Sequence, residues 1–161
     1  MQDETFNTVS GLKLTISDVV KEINKFINSD INRKYNIIVG TDSGLEEDKQ
    51  ADFVTAIVIH RVGNGGKYFW RRIKIGKFYT LRDRIVEEVM LSLDAAQKLL
   101  LALKQEKIPF NWTFEIHVDV GANGDTRNLI QEVVGMVRAN QFEIKTKPNS
   151  YAASKVADRY C

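Results

Sequence analysis

The chain has 161 residues, of which 43% are hydrophobic and 27% are charged, and its formal net charge is +2. This length and balance fit one globular domain and exclude a disordered or fibrous chain. Its single cysteine, Cys161, excludes an internal disulfide, and the polar start lacks the basic and apolar regions of a signal peptide. No apolar stretch reaches transmembrane length. We therefore expect a cytoplasmic protein without membrane association, with a single domain over residues 1–161 and a loose tail over residues 1–10.

The first part of the chain predicts a helix followed by three strands. Thr15 and Asp18 precede a run of apolar residues at helical spacing and are typical of a capping box. A short apolar run then stops at Asp42, and two β-rich runs flank four turn residues, which favours a hairpin. The predicted elements are a helix over 16–28 and strands over 36–41, 53–62 and 68–78.

The second part alternates helices with strands. The predicted elements are a helix over 81–104, a strand over 112–120, a helix over 125–139, a strand over 142–147 and a helix over 151–160. This order predicts a five-stranded mixed sheet, with strands 1-2-3 antiparallel, strands 1-4-5 parallel, helices on both faces and an extra N-terminal helix. The glycine-containing turn over 121–126 lacks the P-loop lysine, and Asp125 is expected to cap a helix there. We expect no nucleotide cofactor.

Carboxylates are expected at one edge of this sheet. Asp42 and Asp119 each end a predicted strand and are followed by glycine two residues later. Parallel strands bring their carboxyl ends to one edge, where α/β sheets place ligands. On the long helix, Glu88 falls in line with the apolar face, with Glu87 as the alternative. Such a cluster suits Mg²⁺ or Mn²⁺, although aspartate before glycine also forms ordinary turns.

The predicted hairpin and its continuation are strongly basic. Between Arg61 and Arg84 the chain carries eight basic residues against one acid. Such a segment suits contact with nucleic-acid phosphates. The alternative is a purely structural role, as a half-buried strand pair with a charged edge. His117 is interpreted as a packed histidine beside Asp119 rather than as a ligand. The candidate nucleic-acid-binding residues are Arg71, Arg72, Lys74, Lys77 and Lys155.

Three motifs carry a resemblance to a known family. The segments GTDS, HVDVG-x-NG-x-TR and KPNSYAASKVAD resemble the YkuK-type proteins, predicted nucleases of the RNase H-like superfamily, from about Phe6 to Asp158. The resemblance implies an RNase H-like fold and two-metal hydrolysis of phosphodiester bonds in RNA, DNA or RNA/DNA hybrid. It implies that Asp42 bridges the metals and that Glu88, Asp119 and Asp158 complete the site. The alternative is a non-catalytic module of the same fold that binds nucleic acid or a protein partner.

Overall fold

A computed structural model describes residues 4–108, 112–122 and 124–150, which form one mixed α/β layer structure. The helices are α1 (Ile16–Asn28), α2 (Leu81–Gln105) and α3 (Ile130–Ala139), the last preceded by a 3₁₀ turn over Arg127–Leu129. The strands are β1 (Phe6–Asn7), β2 (Lys13–Leu14), β3 (Tyr35–Leu45), β4 (Ala51–Arg61), β5 (Gly66–Ile75), β6 (Trp112–His117) and β7 (Glu143–Lys145). Within these ranges no helix combines the length and the apolar character that crossing a membrane requires.

The sheet is mixed, as predicted, but its size differs from the prediction. Its strand order is β2-β1-β5-β4-β3-β6-β7, with β3, β4 and β5 antiparallel and β3, β6 and β7 parallel. The prediction of five strands is wrong because β1 and β2 pair with each other, and Asn7 of β1 pairs with Trp70 of β5. The prediction of a loose tail is wrong for this stretch, since the Phe6 side chain is only 1% exposed. Two-residue strands are too short to show a period in sequence.

The three helices pack against one face of the sheet. Tyr35, Ile37 and Val39 of β3 share a single buried core with all three helices. Side chains alternate along a strand, and the alternate residue Ile38 instead belongs to a small cluster on the other face with Val58. Two right-handed crossovers that run in the same direction across a sheet place their helices on the same face. The expectation of helices on both faces therefore fails for the described helices, and the predicted helix over 151–160 lies outside the described residues.

Helix α1 begins where its capping residues predict, whereas the end of β3 and the start of α3 differ from the prediction. The α1 capping box is confirmed, with the Thr15 side chain accepting from the Asp18 N–H and the Asp18 carboxylate accepting in return. Strand β3 continues past its predicted end, through Asp42 to Leu45, because β4 pairs with it along its whole length. Helix α3 begins after Leu129 without a side-chain cap, so the predicted cap by Asp125 is wrong.

Candidate carboxylate site

Asp42 and Asp119 both lie just beyond the last paired residues of the neighbouring parallel strands β3 and β6. The β3–β6 ladder ends with Gly40 paired to His117, and Asp42 lies two residues further along β3. Strand β6 ends at His117, so Asp119 lies two residues beyond it, and the prediction of a strand over 112–120 is wrong at this end. The Val120 N–H donates to the Val118 carbonyl at 2.9 Å, so the chain turns at Asp119 just after β6. The Asp42 carboxylate accepts a hydrogen bond from the Ser43 N–H at 2.9 Å. The carboxyl ends of β3 and β6 thus bring these two predicted site residues together.

Glu88 brings a third carboxylate to this edge from the helix layer. It is only 8% exposed, whereas its neighbour Glu87 is half-buried, so Glu88 is the glutamate that faces the sheet. Burial raises the pKa of the Glu88 carboxyl well above its usual range, and the negative charge of Asp42 raises it further. The Arg84 guanidinium lowers that pKa, and Asp119 raises it. Glu88 therefore interacts electrostatically with both aspartates.

A buried hydroxyl network fixes helix α2 against the sheet beside this glutamate. The Thr41 hydroxyl lies 2.8 Å from the Ser92 hydroxyl and 3.0 Å from that of Thr55, and all three side chains are buried. Ser92 lies one helical turn beyond Glu88, and Thr41 directly precedes Asp42. The network therefore sets the position of Glu88 along β3, at the end of the strand that carries Asp42.

The donor chemistry at this edge fits a hard divalent cation. Three carboxylates, one of them buried, repel one another, and a Mg²⁺ or Mn²⁺ ion bound by oxygen ligands would relieve that repulsion. Among residues 4–108, 112–122 and 124–150, however, no group of three or more His, Cys, Asp or Glu side chains is close enough to hold a metal ion. The fourth predicted ligand, Asp158, lies outside the described residues.

His117, the last residue of β6, is buried. It is 5% exposed, and its Nε2 lies 3.0 Å from Oε1 of Glu115. Burial lowers the pKa of the imidazole, and the Glu115 carboxylate opposes that shift. These features favour a neutral ring in the structure, consistent with the interpretation of a packed histidine.

The predicted basic residues divide between the two faces of the sheet. Register places Arg72 opposite Val54 and Val54 opposite Asp42, so Arg72 and Asp42 share a side. Arg71 lies on the other side, where its guanidinium is 5.3 Å from the centre of the Phe6 ring. Lys74 shares the Arg72 side by alternation.

Two of these cations already have acidic partners. Arg72 forms an ion pair with the buried Asp52, which lowers the pKa of that carboxyl, and Lys74 lies 3.1 Å from Glu46. Lys77 lies just beyond β5 and is exposed. The predicted contact Lys155 lies outside the described residues. Contact with nucleic acid stays a prediction for all of them.

Comparison with known proteins defines the class of protein to which this chain belongs. The chain belongs to the ribonuclease H-like family, which it matches over residues 18–161. It is 31% identical over 165 residues to the uncharacterized protein YkuK of Bacillus subtilis (strain 168), covering 96% of this chain and 95% of that protein. No solved structure matches the chain. The resemblance to YkuK-type proteins is therefore confirmed, and the family indicates a function related to nucleic acid.

Proposed function

We propose that this protein is a divalent-metal-dependent nuclease that hydrolyses phosphodiester bonds in RNA, DNA or RNA/DNA hybrid. The observation that carries the proposal is the buried Glu88 carboxyl, whose pKa is raised by burial and by Asp42 and Asp119. Burying a carboxyl against a sheet costs free energy unless the group has a compensating partner. A bound cation would supply that compensation.

Asp42, Glu88 and Asp119 would hold the metal, and by family resemblance Asp158 would join them. A bound Mg²⁺ or Mn²⁺ supplies a water of lowered pKa and neutralises charge on the phosphate. Arg72 and Lys74 lie on the Asp42 side of the sheet, where they would contact flanking phosphates. These contacts would position the nucleic-acid backbone across the edge of the sheet.

A second candidate is a non-catalytic module of the same fold that binds nucleic acid. Two observations favour it: the described residues hold no ready-made cluster of three metal ligands, and the Lys147 ammonium lies 3.1 Å from Asp119. In such a module the basic residues bind phosphates and the acids serve only the fold.

Calorimetric titration with Mn²⁺ distinguishes the two. We expect the wild-type protein to bind Mn²⁺ and to cleave a short RNA, DNA or hybrid duplex, and Asp42→Asn and Asp119→Asn to lose both properties. Asp125→Asn, an exposed aspartate outside the site, is the matched control and should behave as wild type. A wild-type protein that binds nucleic acid but neither binds Mn²⁺ nor cleaves would overturn the nuclease proposal in favour of the binding module.

A further inference from the structure

Lys147 contacts the carboxylate site directly. Its Nζ lies 3.1 Å from Oδ1 of Asp119. The Lys147 side chain is 55% exposed and that of Asp119 is 33% exposed, so this ion pair lies where the site opens to solvent. An incoming cation or phosphate would therefore meet it first.

The backbone around Lys147 fixes where its ammonium group can reach. The Lys147 N–H donates to the Val120 carbonyl at 2.8 Å, and the Lys145 carbonyl accepts from the Val118 N–H at 3.0 Å. These bonds continue the pairing of β7 with β6 into the segments that follow the two strands, one bond on each side of Asp119. The attachment point of this lysine is thus set by main-chain hydrogen bonds.

Gly121 completes the arrangement by leaving room for the lysine stem. A Cβ placed on Gly121 would lie 3.0 Å from Cβ of Lys147 and 3.4 Å from its Cδ. The methylene groups of Lys147 therefore cross directly over the Gly121 backbone on their way to Asp119. A glycine at this position is what allows that close approach.

We propose that the Lys147 ammonium group neutralises Asp119 while the site holds no divalent cation. Once a cation binds that carboxylate, the ammonium group leaves it and pairs with a substrate phosphate. The proposal rests on the proposed metal-dependent function and adds a positioning residue to it. A +1 and a +2 charge at one carboxylate repel each other, so cation binding displaces the ammonium group. The released lysine remains at the mouth of the site, and an ammonium group is a point-charge ligand suited to phosphate. No covalent bond changes in this exchange.

The test replaces Lys147 by Met, which keeps the stem and removes the charge. In the substrate-free protein we expect Lys147→Met to bind Mn²⁺ about tenfold more tightly than wild type, because a competing charge a few ångströms away is gone. The Mn²⁺-loaded variant should bind inorganic phosphate more weakly, and its KM for a cleavable duplex should rise more than its kcat falls. Lys145→Met is the matched control, with the same loss of charge two residues away, and should leave Mn²⁺ affinity within about twofold of wild type.

Two further variants separate charge from structure. Lys147→Arg keeps the charge and should retain the wild-type affinity for Mn²⁺. Gly121→Ala keeps every charge but obstructs the stem of Lys147, and should move Mn²⁺ affinity in the same direction as Lys147→Met. If Lys147→Met does not fold, Gly121→Ala and Lys147→Gln carry the test.

The outcomes distinguish a failure of the role proposed for Lys147 from a failure of the nuclease proposal. If wild type binds Mn²⁺ and Lys147→Met binds it no more tightly, the role of Lys147 is wrong and the nuclease proposal stands. If Mn²⁺ binds to Lys147→Met but not to wild type, Lys147 blocks the cation instead of exchanging with it, and both proposals are wrong. If neither protein binds Mn²⁺, both proposals are wrong.

Discussion

Asp42 and Asp119 each lie two residues beyond the paired Gly40 and His117, Asp42 within β3 and Asp119 in the turn that follows β6. The β3–β6 register sets the position of Asp42, and main-chain hydrogen bonds of Val120 to Val118 and Lys147 hold the turn that carries Asp119. Since Asp42 is itself within β3 and pairs with Val54 of β4, the neighbouring strand restricts its backbone. Backbone hydrogen bonds thus hold both aspartates at the same edge of the sheet.

Metal binding should stabilise the fold through these two aspartates. Adding Mn²⁺ in large excess over its dissociation constant should raise the melting temperature of the wild-type protein, because the cation binds the folded state. We expect no such rise for Asp42→Asn, measured by thermal unfolding with Mn²⁺ and with a chelator. A rise of equal size in Asp42→Asn would place the metal elsewhere, and Asp125→Asn serves as the control for non-specific binding.

The contribution of Glu88 to the stability of the metal-free protein should fall as pH rises from acid to neutral. The folded protein raises the pKa of this carboxyl, so the folded state holds the proton more tightly than the unfolded state. Its stabilising contribution is complete below the ordinary glutamate pKa of about 4.3 and is lost as pH rises through the folded-state value. In chelator at neutral pH, Glu88→Gln should therefore be more stable than wild type, and the difference should vanish in acid.

The control for that experiment is Glu87→Gln, the half-buried neighbour on the same helix. It removes the same charge and should change the free energy of unfolding by only a few tenths of a kcal/mol, about the range of surface substitutions. Urea unfolding at several pH values measures both variants. Equal pH profiles for Glu88→Gln and wild type would show that Glu88 is not the group that titrates.

Arg72 should contribute to nucleic-acid binding more than Arg71. It lies on the Asp42 side of the sheet, whereas Arg71 lies on the opposite side beside Phe6. If Arg72 contacts one phosphate, Arg72→Ala should reduce the slope of log affinity against log salt by about 1, and Arg71→Ala should leave it nearly unchanged. Fluorescence anisotropy over a salt series measures the slope.

Arg72 also pairs with the buried Asp52, so its removal carries a cost in stability. The double variant Arg72→Ala/Asp52→Asn avoids leaving that carboxylate buried without its guanidinium. If the double variant regains stability but keeps the reduced salt slope, the binding effect belongs to Arg72 itself. A slope that returns to the wild-type value would mean that the single variant acted through unfolding.

The buried hydroxyl network should be costly to interrupt. Thr41→Val removes the partner of both Thr55 and Ser92, and a buried hydroxyl left unsatisfied costs about 1–3 kcal/mol. Thr113→Val, which removes an exposed bond to Asn36, should cost much less. Urea unfolding compares the two. Equal costs would show that the network does not hold α2 to β3.

The N-terminal stretch should contribute to stability as part of the sheet. Phe6 is 1% exposed, and truncating a buried phenylalanine costs about 3–5 kcal/mol. We expect Phe6→Ala to lower the free energy of unfolding by an amount of that order, and Val9→Ala, at 71% exposure, to change it little. Near-identical unfolding curves for Phe6→Ala and wild type would show that this stretch does not stabilise the sheet, as expected for the loose tail that the sequence predicts.

The sequence predicted the elements that depend on interactions between residues near one another in the chain. The capping box and helical spacing fixed α1, and the glycine-rich turn fixed the β4–β5 hairpin. Helical phase was enough to choose Glu88 over Glu87, because charge on a packing face is conspicuous. Two-residue strands, the continuation of β3 through Asp42, and the face on which each helix packs depend on pairing partners far along the chain, which local patterns do not encode.

The contact between Lys147 and Asp119 shows the same limit. Lysine near a chain end gives no signal by itself, and its partner lies in another element. Only Gly121 hinted at it, since glycine after a strand can mark a close backbone approach as well as a turn. A single sequence does not distinguish a close backbone approach from a turn.

Strand β3 joins the antiparallel half of the sheet to the parallel half, and the site straddles that junction. Asp42 comes from the polypeptide before the β5–α2 connection, whereas Glu88 and Asp119 come after it. A chain divided in that connection would place the acids on separate fragments. If the proposed function is correct, Mn²⁺ affinity would then report whether two complementary fragments have reassembled, since neither piece alone carries all three carboxylates.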